Sequence, residues 1–311
     1  NFIRYLYDKK VEVKMKILNV DSLTYAGNLD NLKGISDKKN YFFENYDIRN
    51  LKEIDKIFNS FRPEIVVNFA AESHVDRSIS NSAIFVETNI GGTNNLINLS
   101  LKYKIKKYIQ VSTDEVYGDL IDNEPAFVET SEIKPSSPYA ASKAAADLLV
   151  LSFYRTFNLP AIITRCSNNY GPYQHTEKLI PKIIRNSLDN KKIPIFGDGK
   201  NIRDWIYVDD HCSGILSAIN NGKFGQVYNF GGNCEIRNID IVKKILELTN
   251  SSNNLINFVE DRLGHDYRYA INSSKANNDL GWSPEVDFDA GISRTIEWYK
   301  SNNEWVQNLK I

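Results

Sequence analysis

Cysteine is scarce in this chain of 311 residues: Cys166, Cys212 and Cys234 are far apart, odd in number and outside any CxxC pair. That spacing argues against a disulfide framework and against a zinc cage, and small buried apolar residues are expected at all three positions. A surplus of one charge sign is lacking too, since 38 Lys and Arg face 39 Asp and Glu for a formal net charge of -1. The basic surface on which nucleic-acid binding usually depends is therefore not expected. No apolar run approaches the roughly 18 residues of a membrane span, and Ile65-Val66-Val67 stops at Asn68. The opening Asn-Phe-Ile-Arg-Tyr-Leu-Tyr-Asp-Lys-Lys has neither a cationic lead nor a small-residue cleavage site, so no secretory signal is read there and a cytoplasmic, reducing compartment is expected. What is present is ordinary globular material, 42% hydrophobic and 25% charged, enough for one large domain or two smaller ones.

Ile3, Leu6 and Tyr7 recur at i, i+3, i+4 and predict the tail of a helix. Residues 16–21 (KILNVD) then read as a short buried strand closing on Asp21, and the alternation continues with helices over 51–61, 82–103 and 138–157 and strands over 64–70, 107–112 and 161–165. The fold class this predicts is α/β, a Rossmann-like doubly wound parallel sheet with ligands at the carboxyl ends of its strands. Beyond 169 the rhythm loosens into short segments at 193–197, 226–230 and 257–259, too few strands for a second such sheet. Residues 1–169 are thus expected to form the Rossmann domain, and 170–311 mainly a smaller mixed α/β substrate domain interleaved with it. No internal repeat, coiled coil or low-complexity linker separates them.

The strand 107–112 runs into Ser112-Thr113-Asp114-Glu115-Val116-Tyr117-Gly118, a hydroxyl and two adjacent carboxylates at a reactive strand end. Adjacent side chains diverge, so Asp114 and Glu115 can approach different atoms of one substrate as acid and base. An acidic surface turn is the plainer alternative. Further on, Tyr139-Ala-Ala-Ser-Lys143 sets a phenol and an ammonium at i, i+4 on one helix face. A nearby ammonium favours the phenolate and brings a group that titrates near about 10 toward the range of a general base. The same spacing occurs at Tyr5/Lys9 and Tyr103/Lys107, but only Tyr139 follows a Pro-Ser-Ser-Pro helix start and trails a strand-end hydroxyl.

Thr113 with Tyr139-x-x-x-Lys143 resembles the catalytic core of the extended short-chain dehydrogenase/reductase family. Thr113-Asp114-Glu115, with Ala70-Ala71-Glu72-Ser73-His74-Val75-Asp76-Arg77-Ser78, Asn168-Asn169-Tyr170-Gly171-Pro172-Tyr173 and Arg203-Asp204-Trp205, resembles that family's nucleotide-sugar 4,6-dehydratases, over residues 1 to about 299. The resemblance implies bound NAD, a dTDP-glucose substrate, a hydro-lyase reaction and a homodimer through the helices 82–103 and 138–157. It implies catalysis by Thr113, Asp114, Glu115, Tyr139 and Lys143. For NAD it implies Asp21 at the adenosine ribose, Thr24, Asp47 and Ile48 beside the adenine, Ala70, Ala71 and Ser73 beside the pyrophosphate and nicotinamide, Thr88, Asn169, and again Tyr139 and Lys143. For the nucleotide-sugar it implies Ser73, Thr113, Asn168, Lys178 and Leu179, with Pro194 and Phe196 at the base. Arg203, Asn238, Arg262 and His265 are implied at the diphosphate and ribose, where planar guanidinium forks suit two phosphates. A direct catalytic role for His74 is not expected, and no metal is implied.

The sequence departs from that pattern in places. Leu263 and His175-Thr176 stand where Pro-containing stretches are expected, and no GxxGxxG is present, since Gly27 and Gly34 lack partners at the right spacing. The expectation is therefore a sheet whose first strand and Gly-rich loop are missing from these residues. Other enzymes of the same fold stay open: a 4-epimerase, a decarboxylase, or a dehydratase of GDP- or CDP-sugars, which tends to carry a hydroxyl residue where Asp114 stands. A non-catalytic scaffold without its cofactor loop is the alternative outside enzymology.

Overall fold

The structure, a computed structural model, describes residues 1–9 and 15–309. In chain order its strands are β1 (Ile17–Val20), β2 (Tyr41–Glu44), β3 (Ile65–Asn68), β4 (Lys107–Thr113), β5 (Ala161–Cys166), β6 (Asn168–Tyr170), β7 (Ile193–Phe196), β8 (Ile202–Tyr207), β9 (Val227–Phe230), β10 (Glu235–Arg237) and β11 (Ile256–Val259). β3, β4, β5 and β9 form one parallel sheet in that order, and β1 pairs in parallel with β2. Among the described residues β1 pairs only with β2, and β3 only with β4. The α/β class is as expected, while β2 is a strand the sequence reading missed. Tyr41-Phe-Phe-Glu is only four residues long, too short for alternation to separate strand from loop.

The central strands read as continuous apolar runs because both of their faces are covered. On β5, Ile163 packs with Ile54, Phe58, Ile97 and Val150 on one face, while its neighbour Ile162 packs with Ile109, Tyr228, Phe230 and Trp282 on the other. Each such fully buried side chain contributes about 1.5–3 kcal/mol. The helix Pro138–Phe157 starts where Ser137 accepts from the Ala140 N–H at 3.1 Å with Pro138 in the first turn, and stops at Asn158 in the left-handed region. The expected helix over 82–103 is broken into Ala83–Phe85, a π-helical stretch Val86–Gly92 and Thr93–Lys102. This wider turn carries Asn89 inward; such insertions concentrate at functional sites.

The remaining strands make a β10-β8-β6 sheet and a parallel β11-β7 pair. Beside them lies a separate core of Ile180, Ile184, Trp205, Ile241, Ile245, Ile292 and Tyr299. The chain leaves the main sheet after β5, builds β6 to β8, returns to it as β9 and leaves again as β10.

Candidate active site

Thr113 closes β4 and caps the turn Asp114–Tyr117: its hydroxyl accepts the Glu115 N–H and donates to Asp114 Oδ1, both at 3.3 Å. The chain leaves the turn at Gly118 with φ 91, where a Cβ would collide with the Lys134 carbonyl. Asp114 is only 3% exposed, and its Oδ2 has no hydrogen-bond partner. Burial, then the charges of Glu115 and Asp204, hold its carboxyl well above the usual range. Burial raises Glu115 as well, but Arg203, Arg262 and Lys178 all pull it back toward the ionised form. Two adjacent carboxyls thus meet different fields, one pushed toward the protonated form that can donate, the other drawn by cations toward the ionised form that can accept.

Tyr139 and Lys143 lie buried on one face of the helix Pro138–Phe157. The expected tuning of the phenol by the ammonium is opposed by burial. Lys143 Nζ donates to the Val111 carbonyl at 2.7 Å. Burial, then Glu115 and Cys166, hold Tyr139 well above its ordinary value, while the Thr113 hydroxyl bonded to it pulls downward. Helical spacing sets the two on one face, but desolvation is a tertiary property that spacing does not reveal.

On the side where NAD is expected, Asp21 follows β1 and its Oδ1 accepts the Leu23 N–H at 2.7 Å, with Thr24 exposed just beyond. Asp47 holds the Arg49 guanidinium at 2.8 Å, and Ile48 is buried against Gly92. Ala70 and Ala71 follow β3, where Asn68 Oδ1 accepts the Ala70 N–H at 3.1 Å, and the Ser73 carbonyl accepts from Lys178 Nζ at 3.0 Å. Thr88 lies half-buried in the π-helical stretch. Asn169 is committed to the protein itself, bonding His211 Nδ1 at 2.9 Å and the Ser167 carbonyl at 3.0 Å. Asn168 Oδ1, by contrast, is buried without a partner. Small residues and an unsatisfied amide oxygen at the carboxyl ends of parallel strands fit a dinucleotide and the sugar it would face.

On the nucleotide-sugar side, Arg203 is fixed in place, donating to the Ile202 carbonyl at 2.7 Å and the Asp266 carbonyl at 2.9 Å, with its guanidinium 4.4 Å from the centre of the Tyr269 ring. Arg262 pairs loosely with Asp76 at 3.4 Å, and its Nε and Asn238 Oδ1 are buried without partners. His265 bonds Asp261 at 2.7 Å and meets Phe196 edge-on at 6.3 Å. Pro194 lies beside Phe196 on β7, whereas Leu179 opens the helix Leu179–Leu188 and packs against the second core. Thr113, Asp114, Glu115, Tyr139, Lys178, Arg203 and Arg262 therefore form one electrostatically linked group.

Sequence reasoning missed three residues here. Asn89 Oδ1 accepts the Glu72 N–H at 2.8 Å, and its Nδ2 donates to the Glu72 carbonyl at 3.0 Å and to Ser142 Oγ at 2.8 Å. It thereby ties the loop after β3 to the helix of Tyr139. Glu177 Oε1 accepts from Tyr25 at 3.0 Å, and its other oxygen lies 3.8 Å from His74 Nε2. Asp204 accepts from the Cys234 N–H at 2.7 Å and the Gly232 N–H at 3.0 Å. Its signal was visible, since Arg203-Asp204 interrupts an otherwise apolar strand. Among the described residues no cluster of His, Cys, Asp and Glu is arranged for a metal.

A parallel α/β sheet whose central strand delivers Thr-Asp-Glu beside a Tyr/Lys helix face defines an enzyme of the extended short-chain dehydrogenase/reductase class. Residues 1–295 match the family model described as GDP-mannose 4,6 dehydratase, and the chain belongs to that family. It is 47% identical to the dTDP-glucose 4,6-dehydratase of Salmonella typhimurium, over 94% of this chain and 88% of that protein. It is 46% identical to dTDP-glucose 4,6-dehydratase 1 of Escherichia coli over the same shares. Among solved structures, the Bacillus anthracis dTDP-glucose 4,6-dehydratase in complex with NAD is similar with a TM-score of 0.92 at 44% identity, over 100% of this chain and 95% of that one. DesIV, a dTDP-glucose 4,6-dehydratase of Streptomyces venezuelae with NAD and TYD bound, has a TM-score of 0.95 at 40% identity, over 99% and 95%.

Proposed function

We propose that this chain is an NAD-dependent hydro-lyase that converts dTDP-glucose to dTDP-4-keto-6-deoxyglucose. The observation that carries the reading is the divergent pair at the end of β4, a buried Asp114 whose carboxyl is pushed upward beside a Glu115 that Arg203, Arg262 and Lys178 pull downward. An epimerase has no use for such a pair, and the relatives named above share the proposed activity. NAD would be held by Asp21, Thr24, Asp47, Ile48, Ala70, Ala71, Ser73, Thr88, Tyr139 and Lys143 within residues 1–169, while the side chain of Asn169, spent on His211 and Ser167, would shape the pocket rather than bind. When bound, it supplies a reversible two-electron oxidation, taking hydride from C4 and returning it at C6, with no net redox change. The nucleotide-sugar would be gripped mainly from 170–311. Arg203, Arg262, Asn238 and His265 take the diphosphate and ribose, Pro194 and Phe196 the base, and Ser73, Thr113, Asn168, Lys178 and Leu179 the sugar end.

Tyr139, as phenolate, receives the C4 hydroxyl proton; burial opposes that form, which the Thr113 hydroxyl, turned from Asp114 to the phenol, and the ammonium of Lys143 one turn along would favour. The C4 ketone acidifies the C5 proton, which Glu115 takes. Asp114 hands its proton to the departing C6 hydroxyl, which leaves as water. Glu115 then returns a proton to C5. Burial thus favours the protonated Asp114 that its step requires, while Glu115 and Tyr139 act as bases against the pull of burial.

We read the protein further as a cytoplasmic homodimer. Val86, 52% exposed, and Leu148, 55% exposed, are apolar side chains left open on the two helical segments expected to pair. Among the described residues no helix is long and apolar enough to cross a membrane. The decisive experiment incubates the protein with NAD and dTDP-glucose in deuterated water. The expected product has lost one water and carries deuterium at C5; an epimerised sugar of unchanged mass would refute the assignment.

A further inference from the structure

The proposed mechanism leaves one buried ionic group unused. Asp147 stands one turn beyond Lys143 on the helix Pro138–Phe157, on the same face. Its side chain is 0% exposed, and its Oδ2 accepts from Arg165 Nε of β5 at 2.9 Å. Its Oδ1 is buried with no hydrogen-bond partner. Arg165 is held in turn over the Tyr117 ring, 4.8 Å from its centre, and Tyr117 donates to Asn229 Oδ1 at 2.8 Å. The carboxylate is thus fixed from one side by Arg165, while on the other it faces the Ser112 hydroxyl, which pulls it toward the ionised form. A buried ion pair with spare lone pairs is a poor source of stability, because desolvation offsets most of the attraction. Its placement next to Lys143 gives the free oxygen a use.

We propose that Asp147, clamped by Arg165, is a positioning residue: it holds Lys143 as an ammonium in the dry interior and offers Oδ1 as a second acceptor when Nζ leaves the Val111 carbonyl. The proposal rests on the reading of Tyr139 and Lys143 given above. The groups facing this site are Tyr139 and Lys143 from the helix, Tyr108, Ser112 and Tyr117 from β4 and its turn, and Arg165 and Cys166 from β5. Of these, Asp147 is the leading influence that keeps Lys143 charged against the downward pull of burial, and Lys143 in turn favours the Asp147 carboxylate. A neutral Lys143 would no longer stabilise the Tyr139 phenolate.

The test uses Asp147→Asn, and Asp147→Asn with Arg165→Met so that no guanidinium is left buried and unpaired. Nitrogen-15 labelling of lysine Nζ, with Lys143 assigned through Lys143→Arg, follows its titration in the NAD-loaded protein. In the parent protein Lys143 is expected to stay an ammonium at pH 8. In the double variant its midpoint should fall by about one to three pH units, the scale of one close opposite charge. The alkaline limb of kcat should move down with it, while KM for dTDP-glucose holds. Thermal melting should drop in the single variant and recover in the double. A neutral Lys143 at pH 8 in the parent would overturn the proposal whether or not either variant folds. So would an unmoved Lys143 midpoint in a folded double variant, since Asp147 would then serve Arg165 alone. Failure to turn over dTDP-glucose would count against the functional reading, while the lysine titration still decides this one.

Discussion

At the scale of single residues, the site works by giving like groups unlike surroundings. Glu115 must be ionised to take the C5 proton, and burial raises its carboxyl despite Arg203, Arg262 and Lys178. Activity should therefore fail on the acid side at a pH above the roughly 4.3 of an ordinary glutamate, and a kcat profile checks this. Glu115→Gln should cut turnover by about 10²–10⁴ and abolish deuterium entry at C5; unchanged exchange would remove Glu115 from the role of base. Arg262 is one of the cations facing Glu115 and keeps an unsatisfied Nε. Arg262→Ala should raise KM far more than it lowers kcat, because the binding lost is equal in ground and transition states. A pure kcat defect would contradict the diphosphate assignment.

At the scale of elements, two side chains act as joints. Asn89, swung inward by the π-helical turn, satisfies both backbone groups of Glu72 and the Ser142 hydroxyl. Asn89→Leu should cost about 1–3 kcal/mol for each buried group left unpaired. Limited proteolysis should then cut first in the loop after β3. His211, buried on the helix Val208–Asn221, bonds Asn169 of β6 and is pushed down to about 4 by burial. Unfolded, it would titrate near about 6.5, so between those values the unfolded chain holds a proton that the folded one does not. Stability should fall as pH drops through that window, by about 3 kcal/mol from this group. Urea midpoints measured across the window should lose much of that slope in His211→Gln.

At the scale of the whole molecule, what could be read in advance was what is local. A hydroxyl and two carboxylates ending an apolar strand, and a Tyr and Lys one turn apart, are neighbours in sequence, and Thr113, Asp114, Glu115, Tyr139 and Lys143 could be singled out before any coordinates. The return of β9 to the main sheet, the inward turn of Asn89 and the field on Tyr139 depend on packing between distant segments, and spacing carries no trace of them. The faces of the helices Thr93–Lys102 and Pro138–Phe157 lie between these extremes. Their inner residues, Leu96, Ile97 and Val150, are in the core, yet Leu148 and, in the preceding π-helical stretch, Val86 point outward. Scattered surface apolar residues need no explanation, but a pair on adjoining segments would profit from burial against a second copy. In an isologous interface each residue is met by the partner's copy of the same patch, so one charge per chain places two in the contact. Leu148→Glu should therefore shift sedimentation from dimer to monomer, whereas Lys52→Glu, on the separate helix Leu51–Phe61, should leave it unchanged. A parent protein that sediments as a monomer, or a Leu148→Glu variant that stays dimeric, would place the interface elsewhere or remove it.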